Sequence, residues 1–156
     1  MSLIKTIPLD ELERKKVENT WNSNNVLKYI GVKVDMSDEN MVRAIIDPIQ
    51  TLHRGGLGTE AVNGAVLSSL FDLVIGLVGI VNSNKHRTGT IQLNINFLRP
   101  LSGNKVIIEG KLIKNGKSIV FARAEAYDED HNLCSTCDGI CSIDLNKPIV
   151  DNFMSI

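Results

Sequence analysis

Asp72 stands inside an apolar run that reads Asn63-Gly64-Ala65-Val66-Leu67-Ser68-Ser69-Leu70-Phe71-Asp72-Leu73-Val74-Ile75-Gly76-Leu77. A carboxylate buried there without a partner carries a large desolvation penalty or takes up a proton. Three arrangements satisfy the physics. Asp72 pairs with a buried partner, faces solvent on the one polar stripe of an amphipathic helix, or serves as a catalytic acid or base in a dry cleft. A second group of reactive side chains spells His131-x2-Cys134-x2-Cys137-x3-Cys141, a spacing compatible with zinc or an iron–sulfur cluster. The surrounding residues have strand chemistry, however. Alternation then sends Cys137 and Cys141 to one face and Cys134 to the other, so the three meet at one ion only if the chain bends at Asp138-Gly139. Reduced, buried thiols acting as small hydrophobes fit better, and no metal or other cofactor is expected.

The rest of the chain must position these groups. Its 156 residues, 43% hydrophobic and 22% charged, suit one soluble domain, taken as residues 1–156, with a sizeable core. A net charge of −1 with scattered Lys and Arg leaves no basic stripe for nucleic acid. The N-terminus lacks a signal-peptide pattern, and the longest apolar stretch, 73–81, is half a membrane span and contains Gly76 and Gly79. A cytoplasmic protein without a membrane partner is the expectation.

Asp10 is placed to cap a helix over 11–21 with Leu12 and Val17 on its apolar side, ended by Asn22-Ser23-Asn24-Asn25. Alternation predicts strands over 26–36 and 41–46. After Pro48, a loop carries His53-Arg54-Gly55-Gly56-Leu57-Gly58. Thr59 is the predicted N-cap of a long apolar helix over 60–82, rich in small residues that suit packing on a sheet. Four strands follow over 90–97, 105–113, 117–127 and 133–143, with Asn115-Gly116 as a type I′ hairpin signal. Residues 146–156 carry no clear pattern. Two strands, one central helix and a run of hairpin strands make an α+β chain. Its helix is apolar on so many sides that an antiparallel sheet must curve around it.

This order resembles the hot-dog fold. Asn63-Gly64-Ala65-x4-Leu70-x-Asp72 resembles the His-Gly-Gly-x4-Leu-x-Asp helix signature of the phenylacetyl-CoA-type acyl-CoA thioesterases. Thr90-x-Gln92-Leu93-Asn94-Ile95-Asn96-Phe97-Leu98-Arg99-Pro100 resembles the strand that follows it, and the match runs over about 26–144. The resemblance implies a thioester hydrolase in which Asp72 activates water or attacks directly. Gly64, by the same resemblance, admits the substrate to a helix N-terminal amide that polarises the carbonyl. Thr90 takes the position of a hydroxyl that holds the water, and Ala65 lies beside Gly64 on the substrate side. Eight helical residues separate Gly64 from Asp72 by about 12 Å, too far to act on one carbon. The site is therefore shared between subunits of a homodimer or homotetramer.

Departures from the pattern matter. The family histidine is Asn63 here, which can donate an N–H but cannot exchange a proton near neutral pH. Leu57 replaces an asparagine found six residues before that position in many members, so Asn63 is a candidate for its orienting role. His53, in the same loop, is a candidate for reaching the site; a solvated loop histidine is the alternative. Glu60 reads as a first-turn acid favoured by the helix dipole. Arg99, Lys114 and Lys117 lie at strand ends, either as solvated charges or as partners for CoA phosphates. A non-catalytic acyl-CoA binder is the rival function. A hydratase would need a histidine soon after Asp72, and none occurs before His86.

Overall fold

The computed structural model describes residues 8–55 and 58–149. Asp10 and Glu13 form a reciprocal capping box at the start of α1 (Glu11–Asn22). Val17 is buried on this helix, whereas Leu12 is 66% exposed. The five-residue spacing between them does not return to the same helical face. The strand expected over 26–36 is divided. Asn24 accepts hydrogen bonds from the amides of Val26 and Leu27 and nucleates a short helix, α2 (Asn25–Tyr29). Gly31, at φ +68°, then turns the chain into β1 (Val32–Asp35).

β2 (Val42–Ile46) and a 3₁₀ turn (Thr51–His53) precede the long helix α3 (Gly64–Val81). After it come β3 (His86–Phe97), β4 (Val106–Asn115), β5 (Ile119–Tyr127) and β6 (Leu133–Pro148). All pairings are antiparallel, in the order β1-β2-β4-β5-β6-β3. β6 reaches into the region that carried no sequence pattern, because Pro148 pairs with His86. Asn115-Gly116 does not make a type I′ turn, since neither residue is in the left-handed region. The connection is longer, closed by the Gly116 amide donating to the Ile119 carbonyl at 2.7 Å.

The sheet curls over α3, whose Leu70, Phe71, Val74, Ile75 and Leu77 are essentially inaccessible. Two glycines allow the close approach. A Cβ at Gly110 of β4 would lie 2.3 Å from Val74, and one at Gly139 of β6 would lie 2.5 Å from Ile75. By length and composition α3 could cross a membrane, yet it is the core helix of this sheet.

The two edges of the sheet are finished differently. On β1, the Asn22 side chain accepts from the Val34 amide at 2.8 Å and donates to the Val34 carbonyl at 2.9 Å, imitating a neighbouring strand. Glu18 accepts from the Met36 amide at 2.8 Å. β3, at the other edge, is a 12-residue strand with no neighbour on its outer side among the described residues. It carries the largely exposed Ile91 and Phe97.

Candidate active site

α3 starts four residues later than the sequence pattern suggests. Thr59 does not cap it; its hydroxyl accepts from the Ala61 amide within the loop. Val62 is held extended by a bridge to Arg54 and by its amide donating to the Leu101 carbonyl at 2.8 Å. The Asn63 amide donates to the His53 carbonyl at 2.8 Å, and Asn63 is the true N-cap. Its Oδ1 accepts from the Ala65 amide at 2.8 Å. This occupies one first-turn donor. The Gly64 amide has no acceptor among the described residues and is exposed. A Cβ at Gly64 would meet only the Phe97 ring, at 3.5 Å. An unpaired, solvent-facing N–H at a helix N-terminus is a ready donor for an oxyanion.

Asp72 is exposed in the single chain, on a stripe with Gly64, Ala65 and Ser69 that the sheet leaves uncovered. No buried partner claims it; the polar-stripe arrangement describes the isolated protomer. Beside it stands Thr90. A Cβ at Gly76, one turn beyond Asp72, would lie 3.9 Å from the Thr90 hydroxyl. Asp72, Thr90, Ser69 and Gly76 share an open groove of about 260 Å³. Thr90 pairs in register with Cys141, just before a bulge that interrupts β3 between Thr90 and Gln92. Burial pushes the Cys141 thiol up to about 11, with the Thr90 hydroxyl pulling the other way and the Asp72 charge adding to the rise.

Other candidates fall elsewhere. His53 is neither a solvated loop histidine nor free to meet a substrate. Its ring is buried, Nδ1 accepts from the Gln50 amide at 2.8 Å, and Nε2 faces the Ile30 carbonyl at 2.6 Å. An amide can only donate, so the proton sits on Nε2 and both nitrogens are engaged. His53 instead anchors the loop that sets Asn63. Ala65 lies on the exposed stripe, but its amide is taken by Asn63. Arg99 follows β3, whose end packs near Gly64. Lys114 and Lys117 sit at the β4–β5 connection, where Asn115 donates to the Asn82 carbonyl at the opposite end of α3. One chain does not bring these three cations together. Glu60 is exposed and precedes the helix, within reach of Arg54 at 3.7 Å.

All three cysteines are buried and free. Cys141 faces α3, its thiol donating to the Ile75 carbonyl at 3.4 Å; Cys134 sits in a register shift of β6, its thiol donating to the Asn132 carbonyl at 3.3 Å. Among the described residues, no group of three His, Cys, Asp or Glu side chains is placed to hold a metal ion. Leu57 lies outside the described residues. Sequence patterning missed Trp21 as a neighbour of the site, since nothing local to α1 reveals that its end shares a groove with α3.

A family model described as the thioesterase superfamily matches residues 60–135, the stretch that contains Gly64, Asp72 and Thr90. Thioesterase HI1161 from Haemophilus influenzae superposes with a TM-score of 0.73 at 18% identity, covering 96% of this chain and 98% of that one. The sequence is similar to that superfamily over residues 60–135, and the chain has the hot-dog fold. The PaaI protein of the Escherichia coli phenylacetic acid degradation operon is also similar, with a TM-score of 0.70 at 16% identity over 83% of this chain and 91% of that one. The medium/long-chain acyl-CoA thioesterase YigI of Salmonella typhimurium is 28% identical over 95 residues, which are 52% of this chain and 61% of YigI. In this hot-dog chain the fold places a free helix-terminal amide and a carboxylate on one uncovered face of one helix.

Proposed function

We propose that this chain hydrolyses acyl-CoA thioesters at a site shared between two copies, with Asp72 from one and the Gly64 amide from the other. Thioester hydrolysis as a class follows from the family; the substrate and the residue roles are this reading's own. The observation that carries it is the Asp72–Thr90 pair in one groove, with an unpaired Gly64 amide about two helical turns away on the same exposed stripe. At about 1.5 Å per residue the two groups are about 12 Å apart, so one protomer cannot polarise and attack the same carbonyl.

The bare β3 edge supports a partner there. A long, unprotected edge strand recruits another strand, and the side-chain block on β1 directs that recruitment to β3. Under a two-fold axis, Asp72 opposite the partner's Gly64 implies the reciprocal contact as well. The helices then cross antiparallel with Ser68 at the axis, and Gly64, Ala65, Ser68 and Ser69 are small enough for close approach. The same pairing puts Arg99, at the end of β3 near Gly64, on the side of the shared site where a CoA phosphate would enter.

In the reaction, the thioester carbonyl oxygen receives the Gly64 N–H and the positive end of its helix. Water held by Thr90 loses a proton to Asp72 as it adds to the carbonyl carbon. Collapse of the tetrahedral intermediate expels the CoA thiolate, which takes the proton back from Asp72, and leaves the free acid. Asn63 keeps its Nδ2 for the carbonyl or sulfur while its Oδ1 caps the helix. Thiol release from an acyl-CoA panel, compared between wild type and Asp72→Asn, tests the reading. Wild-type rates in the variant would overturn it. Binding without release in both would favour a non-catalytic acyl-CoA binder.

A further inference from the structure

The groove that holds Asp72 and Thr90 continues along α3 away from Gly64, and its walls change character. Beyond the carboxylate it is lined by Leu73, Leu77 and Ile80 of α3 and by Trp21 of α1, with Thr88 and Gly89 of β3 along the other side. Trp21, Leu73 and Ile80 are only partly buried, packed on the core with the rest of each side chain free. Gly76 leaves the floor open, because a Cβ there would contact nothing nearer than the Thr90 hydroxyl at 3.9 Å. Apart from Asp72, no charged side chain lines the groove. Two other cavities, about 370 and 430 Å³, contain neither Asp72 nor Thr90 and are edged by charges such as Arg14 and Lys33. An apolar channel opening beside the reacting groups is suited to the apolar half of a thioester.

Trp21 is held in place rather than resting there. The next residue, Asn22, makes both hydrogen bonds to Val34, and the Asn24 amide donates to the Trp21 carbonyl at 3.0 Å. The backbone that carries the indole is thus set by the β1 edge, and the indole packs partly buried on the core. Where α3 touches the sheet directly, at Gly110 and Gly139, Val74 and Ile75 fill the space between helix and sheet.

We infer that this groove is the acyl channel and that Trp21 is a specificity-determining residue, fitting an unbranched aliphatic acyl group. From Asp72 to Ile80 the channel runs about 12 Å, the extended length of roughly eight to ten carbons. The inference rests on the acyl-CoA reading above, and it adds which acyl groups are preferred and which residue selects them.

Trp21 is the chain's single tryptophan, so it reports on its own surroundings. In Asp72→Asn, titration with octanoyl-CoA should shift the tryptophan emission, while CoA alone should leave it unchanged. In wild type, each methylene added between butyryl- and octanoyl-CoA should raise kcat/KM about fourfold, the value of one buried methylene. Trp21→Phe should keep most of that gain, and Trp21→Ala should reduce it below about twofold per methylene. Ile80→Trp should shorten the longest chain that still gains, which serves if Trp21→Ala does not fold. Thiol release with unchanged chain-length profiles and a silent tryptophan overturns the channel and leaves hydrolysis standing. An emission shift with no thiol release from any acyl-CoA supports the channel and removes the hydrolase reading. Neither signal overturns both.

Discussion

A shared site predicts that two inactive proteins make an active one. Gly64→Pro removes the single N–H assigned to the oxyanion without disturbing the helix that bears it. Gly64 is the first helical residue, where proline is favoured because that amide has no intrahelical acceptor. The residue before it, Asn63, already has φ −61° and ψ 134°, as a residue preceding proline requires. A Cβ at Gly64 reaches the Phe97 ring only at ordinary contact distance, 3.5 Å. Loss of one oxyanion donor costs about 10²–10³ in kcat. Loss of the base in Asp72→Asn costs about 10²–10⁴. When the two variants are co-expressed in equal amounts, a site is intact only if it draws Asp72 from the Gly64→Pro chain and Gly64 from the Asp72→Asn chain. Random assembly makes about one quarter of the sites intact, whether the assembly is a dimer or a tetramer. Thiol release should therefore recover to about a quarter of the wild-type rate, at least tenfold above either parent. Both groups acting within one chain would give no recovery, and activity at the average of the two parents would refute the reasoning.

Four further outcomes follow from named contacts. Asn63→Ala should lower unfolding stability by about 1 kcal/mol in urea titration through loss of the cap, while Asn63→Ser should lose little. Ser68→Cys should form an inter-chain disulfide on mild oxidation, seen on non-reducing gels, if the two-fold axis passes that residue. Gly110→Ala places a methyl 2.3 Å from Val74 and should cost about 1–3 kcal/mol, read by thermal or denaturant unfolding. Burial holds Cys137 and Cys141 up to about 11, above the free-thiol value, so both stay protonated in the folded state at a pH where the unfolded chain has lost those protons. Their contribution to stability is complete below the unfolded value and is lost as pH rises toward 11; Cys141→Ala should flatten that fall. The same burial should leave all three cysteines unreactive toward a thiol dye at pH 8, so the dye would report released CoA alone.

What the sequence disclosed was whatever depends on local spacing. A run of apolar residues with one carboxylate and several small side chains marked α3, and alternation marked β3 to β6. Spacing along one helix also separated Gly64 from Asp72 without any coordinates. Contacts that join distant segments were hidden. The start of α3 was misplaced because Val62 is tied to Leu101 and Arg54, which no local propensity records. His53 looked available because its partners, Ile30 and its own turn, become visible only once the fold closes. The strand expected at 26–36 gave way to α2 because one side chain, Asn24, supplied two capping bonds. Trp21 was silent for the same reason as His53: its neighbours lie on α3 and β3, far along the chain.

The treatment of the two sheet edges ties these points to function. A six-stranded sheet curled over one helix must stop at two edges, and each exposes a row of amides and carbonyls. Here α1 spends Asn22 and Glu18 on closing β1, and in doing so fixes Trp21 against the groove. The same helix therefore blocks assembly on one side and shapes a pocket on the other. β3 receives no such cover and lies along the uncovered stripe of α3 that bears Gly64 and Asp72. Whatever closes that edge also closes over the carboxylate, removing the water that screens it and strengthening its interaction with anything between the two helices. Blocking the edge should thus act on chemistry before it acts on folding. Ile91→Lys, on the exposed side of β3, sets a charge on that edge strand without touching the core. The variant should stay folded by circular dichroism, sediment as a smaller species and lose thiol release; a folded, smaller species with full activity would mean that each protomer works alone.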